Sequence, residues 1–336
     1  MAAYTTIDDP EAYFQIATWT GNETARAITL PGDTDMQPDM VWIKEYSSSD
    51  ENSWRVADSA RGVASKWLAT NNADAEGTSA SIVTALSTDG FSIGAAAAVN
   101  STGDSCIGYC WKESATAGID LIAMTGTGVA RTQSHSLSAV PKMIIVKCRN
   151  DGSKSWAVYH AGAASDAETD VLALDASDAK ADDATYWNDT APTSSVFTVG
   201  TANGVNKNTK LYVSYVFAPV QGFSKFGSYT GNGNADGTFV YLGFQPALLF
   251  VKNTASSSTN WYMYDYKRLG YNVDNNALYP NTTSGQQTDD DIDILSNGFK
   301  TRNTDGGHNG SGNTIIYAAW ARSPFVNSEG VPCNAR

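Results

Sequence analysis

Two tryptophan–aspartate pairs have the residue types and spacing best suited to chemistry. Trp54 stands four residues before Asp58, and Trp261 stands four before Asp265. An aromatic platform beside a carboxylate that accepts hydroxyls makes a sugar-binding pair. The same carboxylates also suit a turn. Arg61 and Arg268 follow them by three residues, so each Asp can cap the turn and pair with the base beyond it. Asn100, Asn206 and Asn309 recur ahead of a final strand-like segment. Asn adopts the left-handed conformation at turns, which is a structural use; the loops that carry these residues would also form a rim. Trp54, Asp58, Trp261, Asp265, Asn100, Asn206 and Asn309 are therefore the candidate glycan-binding residues.

Other groupings carry less. Asp289, Asp290 and Asp291 with Asp293 offer several oxygens to a hard cation. They lack the glycine-turn spacing of a calcium loop and read as a solvated acidic loop. Cys106 and Cys110 have the spacing to open a zinc site, but no nearby His or Cys completes four ligands. Cys106, Cys110, Cys148 and Cys333 read instead as buried free thiols, packed like small apolar groups. His135, His160 and His308 occupy non-equivalent places, and no Gly-x-Ser-x-Gly elbow accompanies them. Carboxylates from different loops can still meet in space, which keeps a glycosidase as a third reading. No catalytic residue, metal or cofactor is assigned.

The elements that must position these groups occur three times. Pro38-Asp39-Met40-Val41-Trp42-Ile43-Lys44, Pro141-Lys142-Met143-Ile144-Ile145-Val146-Lys147 and Pro246-Ala247-Leu248-Leu249-Phe250-Val251-Lys252 share one pattern: proline, any residue, four apolar residues, lysine. The spacing of the three copies is that of a repeated unit of domain size. The proline starts a strand where a missing N–H is tolerated, and the lysine is expected to end it in solvent. Four consecutive apolar residues leave both faces of the strand apolar. It is either covered by a loop or turned toward the next repeat. Trp54, Trp156 and Trp261 follow each copy, and turn signals every 8–12 residues complete a unit of about 100 residues without helical periodicity.

The expected fold is all-β: three tandem β-sandwich or jelly-roll-like domains. Residues 1–12 form an N-terminal arm, 13–118, 119–222 and 223–322 the three repeats, and 323–336 a C-terminal tail. The linkers at 113–118 and 219–223 are short, which favours a fixed arrangement. The formal charge of −13 argues against nucleic acid, which needs a basic footprint. No run of 18 apolar residues exists for a helical membrane span, and the start lacks the basic-then-apolar order of a signal peptide.

With the repeat laid out, the chain resembles a repeat family of tailed-bacteriophage virion proteins, especially of marine phages. The resembling residues are Tyr13-Phe14-Gln15 after Thr6-Ile7-Asp8-Asp9-Pro10, the Tyr229-Thr230-Gly231-Asn232-Gly233 opening, and Pro141 to Lys147. Trp54 with Asp58-Ser59-Ala60-Arg61-Gly62, and Ser296-Asn297-Gly298-Phe299, also match. The resemblance implies a non-catalytic virion structural protein, assembled in the host cytoplasm and homo-oligomeric. Its implied role is that of a tail fibre or adhesin attaching to host surface glycan. The alternative is a capsid or tail decoration protein that binds other virion subunits through the two arms. Repeat two departs from the pattern: His160 replaces the Asp, and the Arg is missing. Whatever is equivalent among copies is expected to be structural. Function is expected where they differ, in the Ser/Asp-rich loops after Asn71, Asp175 and Asn281, or in the arms.

Overall fold

A computed structural model describes residues 4–47, 51–63, 65–268, 272, 276–288 and 292–333. The fold is all-β, with antiparallel pairing throughout the named strands. Three sheets share one organisation. In the first, Phe14–Thr20 pairs with Ser105–Trp111, which pairs with Met40–Glu45, which pairs with Arg55–Asp58. The second repeats this order with Ile119–Thr125, Leu211–Phe217, Met143–Cys148 and Ala157–His160. The third uses Ser224–Thr230, Thr314–Pro324, Phe244–Asn253 and Trp261–Asp265. The first and last strands of each unit are thus neighbours.

Each of these inner sheets carries a smaller outer sheet. The outer pairs are Arg26–Thr29 on Gly90–Ile93, Arg131–Ser134 on Val196–Val199, and Phe239–Tyr241 on Gly298–Thr301. One helical turn precedes each last strand: Ala97–Asn100, Asn203–Asn206 and Gly306–Asn309. These single turns lie where the sequence pattern implies only loops.

The proline–lysine strands are buried on both faces because they separate two cores. Successive side chains of a strand point to opposite faces. Met40 and Trp42, Met143 and Ile145, and Leu248 and Phe250 enter one central cluster shared by all three units. Val41 and Ile43, Ile144 and Val146, and Leu249 and Val251 enter three peripheral clusters beneath the outer sheets. The strand therefore faces its neighbours, the second of the two arrangements its composition allows. Aromatic rings dominate the shared core. Trp320 lies 5.6 Å from Trp111 and 5.4 Å from Phe217, centre to centre, and those three positions are equivalent in register.

Two expectations are corrected, one for the lysines and one for Cys333. The lysines do not end in solvent. Lys44, Lys147 and Lys252 are each 0 % exposed. Their ammonium groups donate to hairpin carbonyls of Asn52, Lys154 and Thr259. The N-terminal arm is docked on the body, with Ile7 buried in the central core and Asp8 bonded to Ser328. The C-terminal segment extends the last strand to Pro324 and folds back, with the Cys333 N–H donating to the Phe325 carbonyl. Cys106, Cys110 and Cys148 are buried free thiols, but Cys333 is exposed.

The linkers close as tight turns. Ser114 and Ile119 exchange backbone bonds, as do Val220 and Ser224. Each turns on a glycine at positive φ, Gly118 at +70° and Gly222 at +80°, a conformation other residues rarely adopt.

Candidate functional site

The recurring polar residues meet at the joints between units. Trp54 donates its indole N–H to the Tyr279 carbonyl of unit three, 3.0 Å away. Trp156 donates to Ala69 of unit one, and Trp261 to Ala173 of unit two, each at 2.9 Å. Each Trp thus reaches back to the preceding unit, and the first closes on the last. Backbone bonds follow the same cycle: Glu76 to Arg149, Lys180 to Thr254, and Gln286 to Tyr46. Three identical steps that return to their start are the signature of pseudo-threefold packing.

The carboxylates complete these joints. Asp58 is 1 % exposed and accepts three bonds: from the Arg61 N–H, from Arg61 Nε at 2.5 Å, and from the Tyr215 hydroxyl of unit two at 2.6 Å. Arg61 continues to Glu76, which binds Arg149 of unit two. Asp265 repeats the scheme with Arg268 and with the Tyr109 hydroxyl of unit one, at 2.8 Å. Burial pushes both phenols well above their usual range, and the adjacent carboxylates push the same way.

The third joint is built differently. His160 stands in the Asp position, and Ala318 stands where the others have Tyr109 and Tyr215. His160 Nε2 lies 3.0 Å from the Tyr317 carbonyl, and its Nδ1 accepts the Gly162 N–H. A carbonyl partner on one nitrogen and a donor on the other fix a neutral Nε2–H tautomer. Burial lowers its pKa to about 4. The loss of the Asp in unit two is thus matched by the loss of its Tyr partner in unit three.

The recurring asparagines are internal as well. Asn100 donates to Thr24 and Gly94 and accepts from the Asn22 N–H. Asn206 and Asn309 make the same three contacts in their own units. Trp54, Asp58, Trp261, Asp265, Asn100, Asn206 and Asn309 are all at most 1 % exposed. This corrects the glycan-binding assignment, because none of these side chains faces solvent with a free polar group. The turn-and-ion-pair use of the Asp residues, and the structural use of Asn, describe what is present.

The lysines close the same joints from the other end. Lys44 also donates to the Thr283 carbonyl of unit three, and Lys252 to Ser177 of unit two. Burial lowers all three lysines to about 8. Among the described residues no cluster of three His, Cys, Asp or Glu is placed to hold a metal. Asp289, Asp290 and Asp291 lie outside the described residues, while Asp293 pairs with Arg302.

Sequence reasoning missed the inter-unit hydroxyls, Tyr109 and Tyr215. The signal was present: Asp58, Asp265 and His160 vary in step with Tyr215, Tyr109 and Ala318, offset by one unit. Copy-specific surface lies elsewhere, on the outer sheet of unit three. Phe239 and Tyr241 are 46 % and 48 % exposed there, among the most exposed large apolar side chains of the described chain.

Fold and joints together define an all-β protein of three equivalent units closed into one body. The chain belongs to the family described as Domain of unknown function (DUF7483), whose model matches residues 9–324 and so spans all three units at once. No curated protein matches the chain.

Proposed function

We propose that the chain is a non-catalytic structural protein of a tailed-bacteriophage virion. In this reading three sandwich-like units form one rigid body, which presents its surface for attachment to the host. The carrying observation is that recurrent polar residues are buried and used to join the units. Reactive side-chain types are thereby committed to architecture, and recognition is left to residues that differ between copies. The virion setting comes from the resemblance in sequence, since fold alone does not specify function.

Decoration of the capsid or tail is the second reading. It is favoured by the position of the arms, which both pack on unit three at the Gly243 carbonyl, through the Tyr4 hydroxyl and the Phe325 N–H, and meet each other at Asp8 and Ser328. One edge thus offers both arms to another virion subunit.

Labelled, purified protein incubated with host cells tests the first reading: saturable binding is expected. Absence of cell binding, with antibody labelling of the capsid, would leave decoration in its place.

A further inference from the structure

The three units act as internal controls for one another. At the outer-strand positions paired with Lys300 and Gly298, unit three has Phe239 and Tyr241. The equivalent positions hold Ala27 and Thr29 in unit one, and Thr132 and Ser134 in unit two. On the inner sheet, the equivalents of Lys225 are Gln15 and Asp120. Those two hold the segment after the outer strand, Gln15 by accepting the Gly32 N–H and Asp120 by accepting the Ser136 N–H. Lys225 instead donates to the Tyr241 carbonyl, at 2.7 Å. The segment leading to the repeat proline is also shortest here, residues 242–245 against 30–37 and 135–140. Two aromatic rings, a cation and a trimmed loop therefore coincide in one unit.

Tyr241, Lys225 and Leu242 of the short segment border a groove of about 460 Å³, lined also by Tyr4, Pro219 and Gln221. The Tyr4 and Tyr241 hydroxyls lie 3.4 Å apart, with Tyr4 donating to Gly243. The Lys225 ammonium sits 5.5 Å from the centre of the Tyr241 ring and has no carboxylate partner among the described residues. We infer that this groove binds an acidic saccharide, a uronate-type sugar that stacks on Tyr241 and directs its carboxylate to Lys225.

Ring faces suit the apolar C–H side of a pyranose, and amide and phenol groups suit its hydroxyls. The volume fits one or two sugar rings. Among the described residues the Lys225 ammonium has no carboxylate beside it to compete for a single anionic group, whereas the net charge of −13 disfavours an extended anionic lipid surface. This inference rests on the attachment reading and gives it a site and a ligand class.

The experiment is calorimetric titration of the full-length protein with oligogalacturonate, with neutral cello-oligosaccharide and dextran sulfate as comparison probes. The acidic oligosaccharide is expected to bind, more weakly at higher salt. Tyr241→Ala and Lys225→Met should each weaken it by about tenfold or more, and tenfold is equivalent to about 1.4 kcal/mol. Thr29→Ala and Ser134→Ala, at the equivalent positions, should leave it unchanged. A thermal melt of each variant confirms folding. Equal binding of the neutral probe, tighter binding of dextran sulfate, or undiminished binding by folded Tyr241→Ala would overturn the site. Cell binding that persists in Tyr241→Ala would also overturn it while leaving attachment standing. Uronate binding without any cell binding would uphold the groove and overturn attachment.

Discussion

Asp58 shows how a buried charge is made tolerable. It has two bonds from Arg61 and one from Tyr215, and Arg61 passes its remaining charge to Glu76. Removing one member of such a network leaves the others buried and uncompensated, which costs about 3–5 kcal/mol. Asp58→Ala should lower unfolding stability by that amount, and Tyr215→Phe by about 1–2 kcal/mol for the missing hydrogen bond. Because the two residues belong to different units, a double-mutant cycle by chemical denaturation should show clear coupling. Additivity would mean that this joint carries no energy.

His160 sets an acid limit on stability. Its folded pKa of about 4 lies below the 6.5 of an ordinary histidine. The unfolded chain takes up a proton as pH falls through 6.5, while the folded chain resists until about 4. Stability is therefore lost across that window, by about 3 kcal/mol at most from this group. Unfolding midpoints at pH 7 and pH 4.5 should differ more in the native chain than in His160→Gln, whose amide can still donate to Tyr317.

At the scale of elements, alternation along the proline–lysine strand assigns each side chain to one of two cores. Trp42 belongs to the shared core and Ile144 to the peripheral core of unit two. Trp42→Ala should cost about 3–5 kcal/mol and Ile144→Ala about 2–5 kcal/mol. Their reach should differ. By amide hydrogen exchange, Trp42→Ala should loosen all three inner sheets and Ile144→Ala chiefly unit two. Uniform effects from both would contradict the separation of the cores.

This strand also marks what the sequence makes legible. Four apolar residues in a row announce burial on both faces, and threefold recurrence announces equivalent units. Neither reveals what covers the second face, because that depends on how units pack, and packing leaves no period in one copy. The same limit applies to Trp54 and Asp58. Their spacing suits a sugar platform and a buried joint equally, and only the location of Tyr215 and Tyr279 distinguishes them. Lys44 departs from expectation for a related reason. A lysine at a strand end normally reaches water, but here the carbonyls of two hairpins occupy its place.

For the whole molecule, the shared core means that the units are not independent. The fragment 119–222 would expose Met143, Ile145, Val213, Tyr215 and Phe217 to water. Expressed alone, it should lack cooperative unfolding and the near-ultraviolet dichroism of fixed aromatic rings. Conversely, the N- and C-terminal segments touch, since Asp8 holds Ser328. A circular permutant with joined ends, opened between Ala115 and Thr116 in the first linker, should fold and melt cooperatively close to the native midpoint. Loss of folding in that permutant would show that continuity through the linker, and not the joints, holds the body together.

The odd third joint restricts which units can stand side by side. A unit can associate with copies of itself only if it carries both halves of the joint. Unit one does, with Asp58 on one side and Tyr109 on the other. Unit two would set His160 against Tyr215, and unit three would set Asp265 against Ala318 and leave the carboxylate without its hydroxyl. Unit one alone thus carries both halves of the Asp–Tyr joint, and the other two match only as neighbours in this chain. With one joint different on both sides together, the order of the units along the chain cannot be permuted freely.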